Sequence, residues 1–215
     1  MKSFEKLLQE NKNWAAEKQA SEPGFFKQLA KEQKPEFLWI GCSDSRVPAE
    51  IIVNADPGEM FIHRNIANQM VMTDFNCLSV LQFAVAVLQV KHVIVCGHYN
   101  CGGVKAALSK QRYDLTITNK WLMHIKQVYR LHQDEINALP TEAQRIDRLV
   151  ELNVIEQVQA LSHTSIIQQA WSQQQKPMLH GWVYGLGDGL LKPLVTLESG
   201  CDIGPIFQYE NAANV

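Results

Sequence analysis

The sequence predicts an α/β protein in which a mostly parallel central β-sheet is flanked by helices and preceded by an N-terminal helical arm. Short apolar runs recur in FLWIGC, EMFIHRN and HVIVCGH, and each has the length and composition of a buried strand. A helical segment, TDFNCLSVLQFAVAVLQ, lies between the second and third runs. Strands that alternate with helices are typical of βαβ units, whose strands are parallel.

The N-terminal segment predicts two helices outside the sheet. Apolar residues recur near helical spacing on both sides of the break SEPG, at Phe4, Leu7, Leu8 and Trp14 and then at Phe25, Phe26 and Leu29. We therefore expect a helical arm over residues 1–34 and a single α/β domain over residues 35–215.

The remaining elements follow from caps and turns. Thr73 or Asp74 is suited to cap the helix over residues 75–89, whose apolar residues on nearly all sides predict burial between layers. Helical patterns follow over roughly 119–138 and 142–175. Near the end, MLHGWVYGL and LLKPLVTL predict two strands joined at the GDG turn.

Composition excludes several classes of function. The 215 residues include 20 Lys and Arg against 22 Asp and Glu, a net charge of −2, so neither nucleic acid nor a membrane surface is an expected partner. The N-terminus lacks a secretory pattern, which predicts a cytoplasmic protein. Five cysteines, an odd number, indicate thiols or ligands rather than a disulfide framework.

Three chemically capable residues follow two of the predicted strands. Cys42 ends the first run, and His98 and Cys101 follow the run at 92–97. Because ligands of open α/β sheets gather beyond the carboxyl ends of the strands, we expect these three side chains to converge. Two thiolates and an imidazole suit Zn²⁺, and three protein ligands leave a fourth position open, as in catalytic zinc sites. A core histidine beside a buried thiol is the alternative.

Two further observations favour the zinc site. Glycines that permit close backbone approach flank the three residues, namely Gly41, Gly97, Gly102 and Gly103. Asp44 and Arg46 also lie two residues apart, so they can form a bidentate pair. The pair could be a plain salt bridge, but beside a metal the carboxylate has two partners, the cation and the guanidinium. Its choice would determine whether the fourth metal position is open.

The motifs CSDSR, HRNIAN and GHYNCGG occur in the order seen in the β-class carbonic anhydrases, and the chain resembles that family from about residue 14 to about residue 190. The resemblance implies a zinc-binding catalytic domain and a zinc lyase, carbonate dehydratase, that reversibly hydrates CO₂ to bicarbonate and a proton through metal-bound hydroxide. It also implies that Cys42, His98 and Cys101 bind the metal, with Asp44 as a fourth ligand in a closed state that Arg46 opens. Because two thiolates cancel the formal charge of Zn²⁺, we expect activity to rise above neutral pH.

The same resemblance implies further roles. Gly102 and Gly103 would supply backbone donors to the substrate, and Gln33 would reach into the site of a partner subunit. The apolar pocket for CO₂ would consist of Phe61, Ile66 and Phe83. The residues Trp39, Arg64 and Tyr184 match an inhibitory bicarbonate site found in a regulated (type II) bacterial subset, whose members are homodimers or tetramers of dimers.

Alternatives remain within the same fold. The same ligands could support hydrolysis of carbonyl sulfide or carbon disulfide, or the chain could be a non-catalytic zinc or redox-sensing protein. From about Leu191 the sequence departs from the helical ending expected of the family, and Cys201, in this region, has no assigned role.

Overall fold

A computed structural model describes residues 2–174 and 176–210 of the chain. The chain divides into two compact units, residues 1–34 and residues 35–215. In the first unit, helix α1 (Ser3–Ser21) and helix α2 (Phe25–Leu29) follow the two predicted segments. Trp14 packs edge-on against Phe26, with ring centroids 5.5 Å apart, and none of the residues of either helix is buried.

The second unit is built on a five-stranded sheet of order β2-β1-β3-β4-β5. The first four strands are parallel, and β5 pairs antiparallel with β4 at the edge, which confirms the predicted α/β class. The strands are β1 (Phe37–Cys42), β2 (Met60–Asn65), β3 (His92–His98), β4 (Met178–Tyr184) and β5 (Leu191–Leu197).

Helices of the second unit connect these strands in the βαβ manner. The helices are α3 (Ala49–Ile52), α4 (Phe75–Gln82) with a π-helical turn (Phe83–Val87), α5 (Gly102–Ala107), α6 (Thr116–Leu131), α7 (Gln133–Asn137), α8 (Glu142–Ser162) and α9 (Ser165–Gln174). Asp74 caps α4 by accepting a hydrogen bond from the backbone N–H of Asn76, and Thr141 and Gln144 form a capping box at the start of α8.

The sheet separates two apolar clusters of unequal size. The larger one contains alternate residues of the central strands, such as Leu38, Ile40 and Cys42 of β1, together with buried residues of α4, α6 and α8. The smaller one contains Trp39 and Cys96 with residues of α3. Because successive strand residues point to opposite faces, Cys42 and Cys96 belong to different clusters although β1 and β3 are neighbours.

The helix predicted over residues 75–89 is not buried on all sides. Cys77, Leu81 and Ala84 are buried, whereas Phe75 and Val87 are 84% and 62% exposed. The sequence pattern of apolar residues on every side was a poor guide here because only one face packs on the core of this chain. A broad apolar surface is left on the other face.

The final strands form the predicted hairpin. The backbone N–H of Gly185 donates to the carbonyl of Leu190, and Gly189 takes a positive φ of 73° within the connection. Strand β5 carries Pro193, which suits an edge strand because proline has no N–H to donate. After β5 the described residues contain a 3₁₀ turn at Pro205–Phe207 in place of a long helix. No helix among the described residues combines the length and apolar character needed to cross a membrane.

Candidate metal centre

The carboxyl ends of β1 and β3 bring the three candidate ligands together. Cys42 is the last residue of β1, His98 is the last residue of β3, and Cys101 precedes the first turn of α5. All three are buried, and their donor atoms lie within 4.8 Å of one another. The two Sγ atoms are 4.0 Å apart. Residues separated by more than fifty positions in sequence therefore form one compact donor set.

The orientation of His98 leaves one ring nitrogen available. Its Nδ1 lies 2.9 Å from the carbonyl oxygen of Tyr99, which can only accept, so Nδ1 carries the proton. Its Nε2 is buried, and among the described residues it has no hydrogen-bond partner. A buried polar atom without a partner is costly, and a metal ion would satisfy it.

The donor set fits Zn²⁺. Two thiolates bound at about 2.3 Å in a tetrahedral arrangement lie about 3.8 Å apart, close to the separation of the two sulfur atoms here. Two thiolates and one imidazole also match the ligand chemistry that zinc prefers, with one position left open.

The two thiols are electrostatically unlike. The hydrogen bond with Cys101 lowers the pKa of Cys42 against the opposing effect of burial, and the backbone N–H groups of Asp44 and Ala67 lower it further. The same sulfur contact and burial raise the pKa of Cys101. The contact between the two sulfur atoms and the donors around Cys42 therefore favour a negative charge at this pair of thiols.

Asp44 is bound to Arg46 in a bidentate pair beside the donor set. The Arg46 Nε donates to Oδ1 over 2.9 Å and its terminal nitrogen donates to Oδ2 over 2.7 Å. This pairing lowers the pKa of Asp44, so the carboxylate is charged at any pH of functional interest. Its Oδ2 is nevertheless only 3.7 Å from His98 Nε2. The carboxylate thus lies within a small movement of the position a metal would occupy.

Arg64 fixes the loop that carries the pair. Its Nε donates to the carbonyl of Cys42 over 2.8 Å, and a terminal nitrogen donates to the carbonyl of Asp44 over 2.6 Å. The pairing Gly41↔Arg64 places Arg64 on the same face of the sheet as Trp39. Tyr184, at the end of β4, packs in the same apolar cluster as Trp39.

Of the three predicted pocket residues, Ile66 lies against the first turn of α5. Phe61 and Phe83 contact each other, with ring centroids 5.9 Å apart, and Phe83 and Ile66 are each about two-fifths exposed. A Cβ at Gly103 would approach Ile66 Cγ2 to 2.9 Å, whereas one at Gly102 would meet no atom within 4 Å. Of these two glycines, Gly103 is therefore the one whose neighbours leave no room for a side chain. Gln33, the other predicted substrate contact, is exposed in the first unit.

Sequence reasoning missed two groups that support the site. Tyr99, whose carbonyl orients His98, donates its hydroxyl to Glu151 over 2.6 Å, and Lys192 donates to the same carboxylate. Asn153 and Gln157 of α8 bind the backbone behind Cys42. The pattern LNVIEQVQAL contained a signal for the second group, since two amides four residues apart lie on the buried face of a helix.

Comparison with known proteins agrees with this geometry. A family model described as carbonic anhydrase matches residues 37–191. A carbonic anhydrase of Emericella nidulans is 50% identical over 192 residues, which cover 89% of this chain and 83% of the relative. One of Saccharomyces cerevisiae is 33% identical over 200 residues, which cover 90% of each.

Solved structures show the same fold. A tetrameric β-carbonic anhydrase of Sordaria macrospora superposes with a TM-score of 0.87 at 39% identity, covering 92% of this chain and all of the other. The Coccomyxa β-carbonic anhydrase in complex with acetazolamide gives a TM-score of 0.86 at 38% identity, covering 92% of this chain and 89% of the other. With its donor set, sheet order and sequence in agreement, the chain belongs to the β-class carbonic anhydrases.

Proposed function

We propose that the protein is a zinc-dependent carbonate dehydratase that interconverts CO₂ with bicarbonate and a proton. The observation that carries this proposal is the buried donor set of Cys42, His98 and Cys101 with a charged carboxylate beside it. Zinc bound there would act as a Lewis acid that lowers the pKa of a bound water molecule. Cys42 and Cys101 would hold the ion as thiolates, and the Tyr99 carbonyl would keep the proton of His98 on Nδ1.

Asp44 and Arg46 form the proposed gate. While both carboxylate oxygens accept hydrogen bonds from Arg46, Asp44 is held away from the metal position, which corresponds to the open state. In the closed state Asp44 would leave Arg46 and become the fourth ligand. The distance of 3.7 Å between Asp44 Oδ2 and His98 Nε2 supports this exchange, because the carboxylate would have only a short way to move to reach the donor set.

Apolar residues beside the site suit a small apolar substrate. Phe61, Ile66 and Phe83 would line the approach of CO₂, and the backbone N–H groups of Gly102 and Gly103 would bind the product anion. The support is the contact between the two phenyl rings and the close packing of Gly103 against Ile66.

The chain also fits the bicarbonate-regulated type II subset. Trp39, Arg64 and Tyr184 would hold an inhibitory bicarbonate on the opposite face of the sheet from the larger core. Arg64 links that face to the metal loop, because it donates to the carbonyls of both Cys42 and Asp44. A bicarbonate that draws Arg64 away would release the loop and favour the closed position of Asp44.

A homo-oligomer, a dimer or a tetramer of dimers, completes the proposal. The first unit exposes Phe4, Leu7 and Leu8 by more than half, and α4 exposes Phe75. Apolar surfaces of this kind mark interfaces. Residues 1–34 would serve as the arm and Gln33 would enter a partner's site, while residues 35–215 form the zinc-binding catalytic domain of a cytoplasmic protein.

Metal analysis combined with stopped-flow CO₂ hydration tests the proposal. We expect one zinc per chain and a kcat/KM that rises as the pH increases above neutral. One zinc per chain with no hydration at any pH would contradict the assigned reaction and favour hydrolysis of a CO₂ analogue or a non-catalytic zinc protein. A flat profile between about pH 6 and 9 would contradict the gate.

A further inference from the structure

The orientation of His98 depends on one peptide plane. Its Nδ1 donates to the carbonyl of Tyr99, which lies in the plane between Tyr99 and Asn100. The backbone N–H of Tyr99 donates to the carbonyl of Tyr184 over 3.1 Å, but that N–H lies in the preceding plane. The Tyr184 contact therefore does not fix the carbonyl that His98 uses, because the two planes can rotate relative to each other about the torsion angles of Tyr99.

The conformation of Asn100 favours such a rotation. Asn100 has a positive φ of 58°, which residues other than glycine rarely adopt, although asparagine tolerates it better than most. Rotation of the plane between Tyr99 and Asn100 changes ψ of Tyr99 and φ of Asn100 together, so it offers a route out of this region. The same rotation would turn the Tyr99 carbonyl away from His98. The orientation of the imidazole therefore depends on the groups that oppose this rotation.

Glu151 of α8 holds the side chain of Tyr99 in place. The Tyr99 hydroxyl donates to Glu151 Oε1 over 2.6 Å, a length typical of strong bonds to a carboxylate. The Glu151 side chain is only 12% exposed, so water competes little for this contact. The Tyr99 side chain also packs against the larger apolar cluster. A ring held by packing and at its hydroxyl restrains the Cα of Tyr99, which is one end of the plane that carries the carbonyl.

Lys105 restrains the other end of that plane more weakly. Its Nζ donates to Asn100 Oδ1 over 3.0 Å, and the contact is exposed. An exposed lysine loses side-chain entropy when it forms such a bond, and it gains little electrostatic energy in a medium of high dielectric constant. The contact between Tyr99 and Glu151 should therefore contribute most of the resistance to rotation.

Two cations fix the carboxylate of Glu151. Lys192 Nζ of β5 donates to Oε1 over 2.7 Å, and Arg148 Nη1 of α8 donates to Oε2 over 2.7 Å. Lysine and arginine can only donate, so both oxygens must accept. A glutamine at position 151 would direct its NH₂ group at one of the two cations. Position 151 therefore requires a carboxylate, which is held from β5 as well as from α8.

We propose that Glu151 is a positioning residue for the metal centre, which through Tyr99 keeps the Tyr99 carbonyl on His98 Nδ1 and thereby keeps Nε2 available to the metal. The inference rests on the proposed function, since it presumes a bound metal. The partner on the second nitrogen of a ligating histidine fixes its tautomer and ring orientation, and metal affinity falls when that partner is lost. Glu151 acts one residue further out, because it holds the residue that supplies this partner.

The zinc-loaded protein offers two measurements besides activity. The first is the NMR resonance of the His98 Nδ1–H proton, which lies downfield and exchanges slowly with water while the Tyr99 carbonyl accepts it. The second is the zinc dissociation constant, measured by competition with a chelator. A wild-type protein that binds no zinc would overturn the proposed function and this inference with it. A change confined to variants of Tyr99 and Glu151 would support this inference.

Two variants remove the contact from opposite sides. Tyr99→Phe removes the hydroxyl and keeps the ring, whereas Glu151→Leu removes the acceptor. In the second variant Arg148 keeps its bond to Glu135, and Lys192, whose side chain is 58% exposed, can turn to water. Because leucine favours helices, α8 should remain intact. If Glu151→Leu fails to fold, Tyr99→Phe decides.

In both variants we expect the His98 Nδ1–H proton to shift upfield and to exchange faster with water, because its acceptor is no longer held. The zinc dissociation constant should rise by roughly tenfold. The double variant Tyr99→Phe/Glu151→Leu should bind zinc as tightly as either single variant, because both changes remove the same contact. Losses that multiply in the double variant would contradict action through that contact.

Tyr129→Phe is the matched control. Tyr129 is also a half-buried tyrosine packed against the larger apolar cluster, and its hydroxyl donates to Asn137 Oδ1 over 3.0 Å, away from the loop over residues 98–101. The control loses a comparable hydrogen bond, so it should leave the His98 proton and the zinc affinity unchanged. A zinc-loaded Tyr99→Phe protein with wild-type proton exchange and zinc affinity, or equal changes in Tyr129→Phe, would overturn the inference while leaving the proposed function intact.

Discussion

Cys42 and Cys96 are two buried cysteines on neighbouring central strands, and they have opposite chemical properties. Burial raises the pKa of Cys96, whose thiol donates to the carbonyl of Gly97 over 3.3 Å. Hydrogen bonds from Cys101 and from backbone N–H groups lower the pKa of Cys42 despite its burial. Burial alone therefore keeps a thiol protonated, whereas donors directed at the sulfur favour the thiolate form that can bind a metal.

The largest effect is expected from Cys42→Ala. The substitution removes a thiolate from the donor set, so bound zinc should fall from about one ion per chain to near zero and CO₂ hydration to background. Atomic absorption and stopped-flow assays measure both. Full zinc content in this variant would show that Cys42 is not a ligand and that the two cysteines do not differ as described.

Arg46→Gln tests whether the pair of Asp44 and Arg46 controls access to the fourth metal position beside Cys42. Asp44 would lose its bidentate partner and be free to take the fourth position, so kcat/KM at neutral pH should fall by about 10-fold to 100-fold. Zinc content should remain unchanged. An activity equal to that of the wild type would reduce the pair to a plain salt bridge.

The same variant should change the acid stability of the protein. Arg46 lowers the pKa of Asp44 in the folded state, so the pair stabilises the fold above the ordinary carboxyl pKa of about 4, and this contribution is lost as the pH falls toward the lowered value. Urea unfolding from pH 6 to pH 2 should therefore show a smaller loss of stability for Arg46→Gln than for the wild type. Parallel curves would contradict the shift.

Arg64→Ala tests the link between the two faces of the sheet. Removing the guanidinium should weaken inhibition by bicarbonate, raising the inhibitory concentration by roughly tenfold, which corresponds to about 1.4 kcal/mol. Inhibition curves at fixed pH and ionic strength measure this. Because Arg64 also holds the loop at Cys42 and Asp44, Arg112→Ala, which removes an exposed pair with Asp114, is the control for general charge effects.

The smallest effect is expected from Cys96→Ala. The side chain packs with Trp39 and Ile94, so its truncation should cost about 1–2 kcal/mol of unfolding free energy, with zinc content and activity retained. Thermal or urea unfolding gives the first quantity. Loss of zinc in this variant would mean that the two faces are not independent.

The sequence predicted the candidate site well where reactive side chains stand at or just after the carboxyl ends of strands. Cys42, His98 and Cys101 were predictable as a group because each stands at the carboxyl end of a recognisable strand, and the parallel sheet with its closing hairpin was predictable from the same runs. The support behind them was not predictable. Ala67 adopts a positive φ and its carbonyl is bound by Asn153, 86 positions later, and no local propensity encodes that contact.

The exposed side of α4 is a second feature that the sequence alone did not predict. Its apolar pattern predicted burial, but Phe75 and Val87 remain exposed in this chain. Periodicity identifies which residues avoid water without identifying what covers them. Periodicity alone cannot show that a second copy of the chain covers the exposed side of α4, as we propose.

The hydrogen bond from His98 Nδ1 to the Tyr99 carbonyl has a thermodynamic consequence for metal loading. This hydrogen bond orients the imidazole, and both thiols lie within a large packed apolar cluster. Little conformational entropy remains to be lost when a metal binds. The free energy of metal binding should therefore appear as metal affinity, and the fold should not require it. Unlike a zinc finger, this protein should survive chelation as a folded, inactive apoprotein that regains activity as soon as zinc returns.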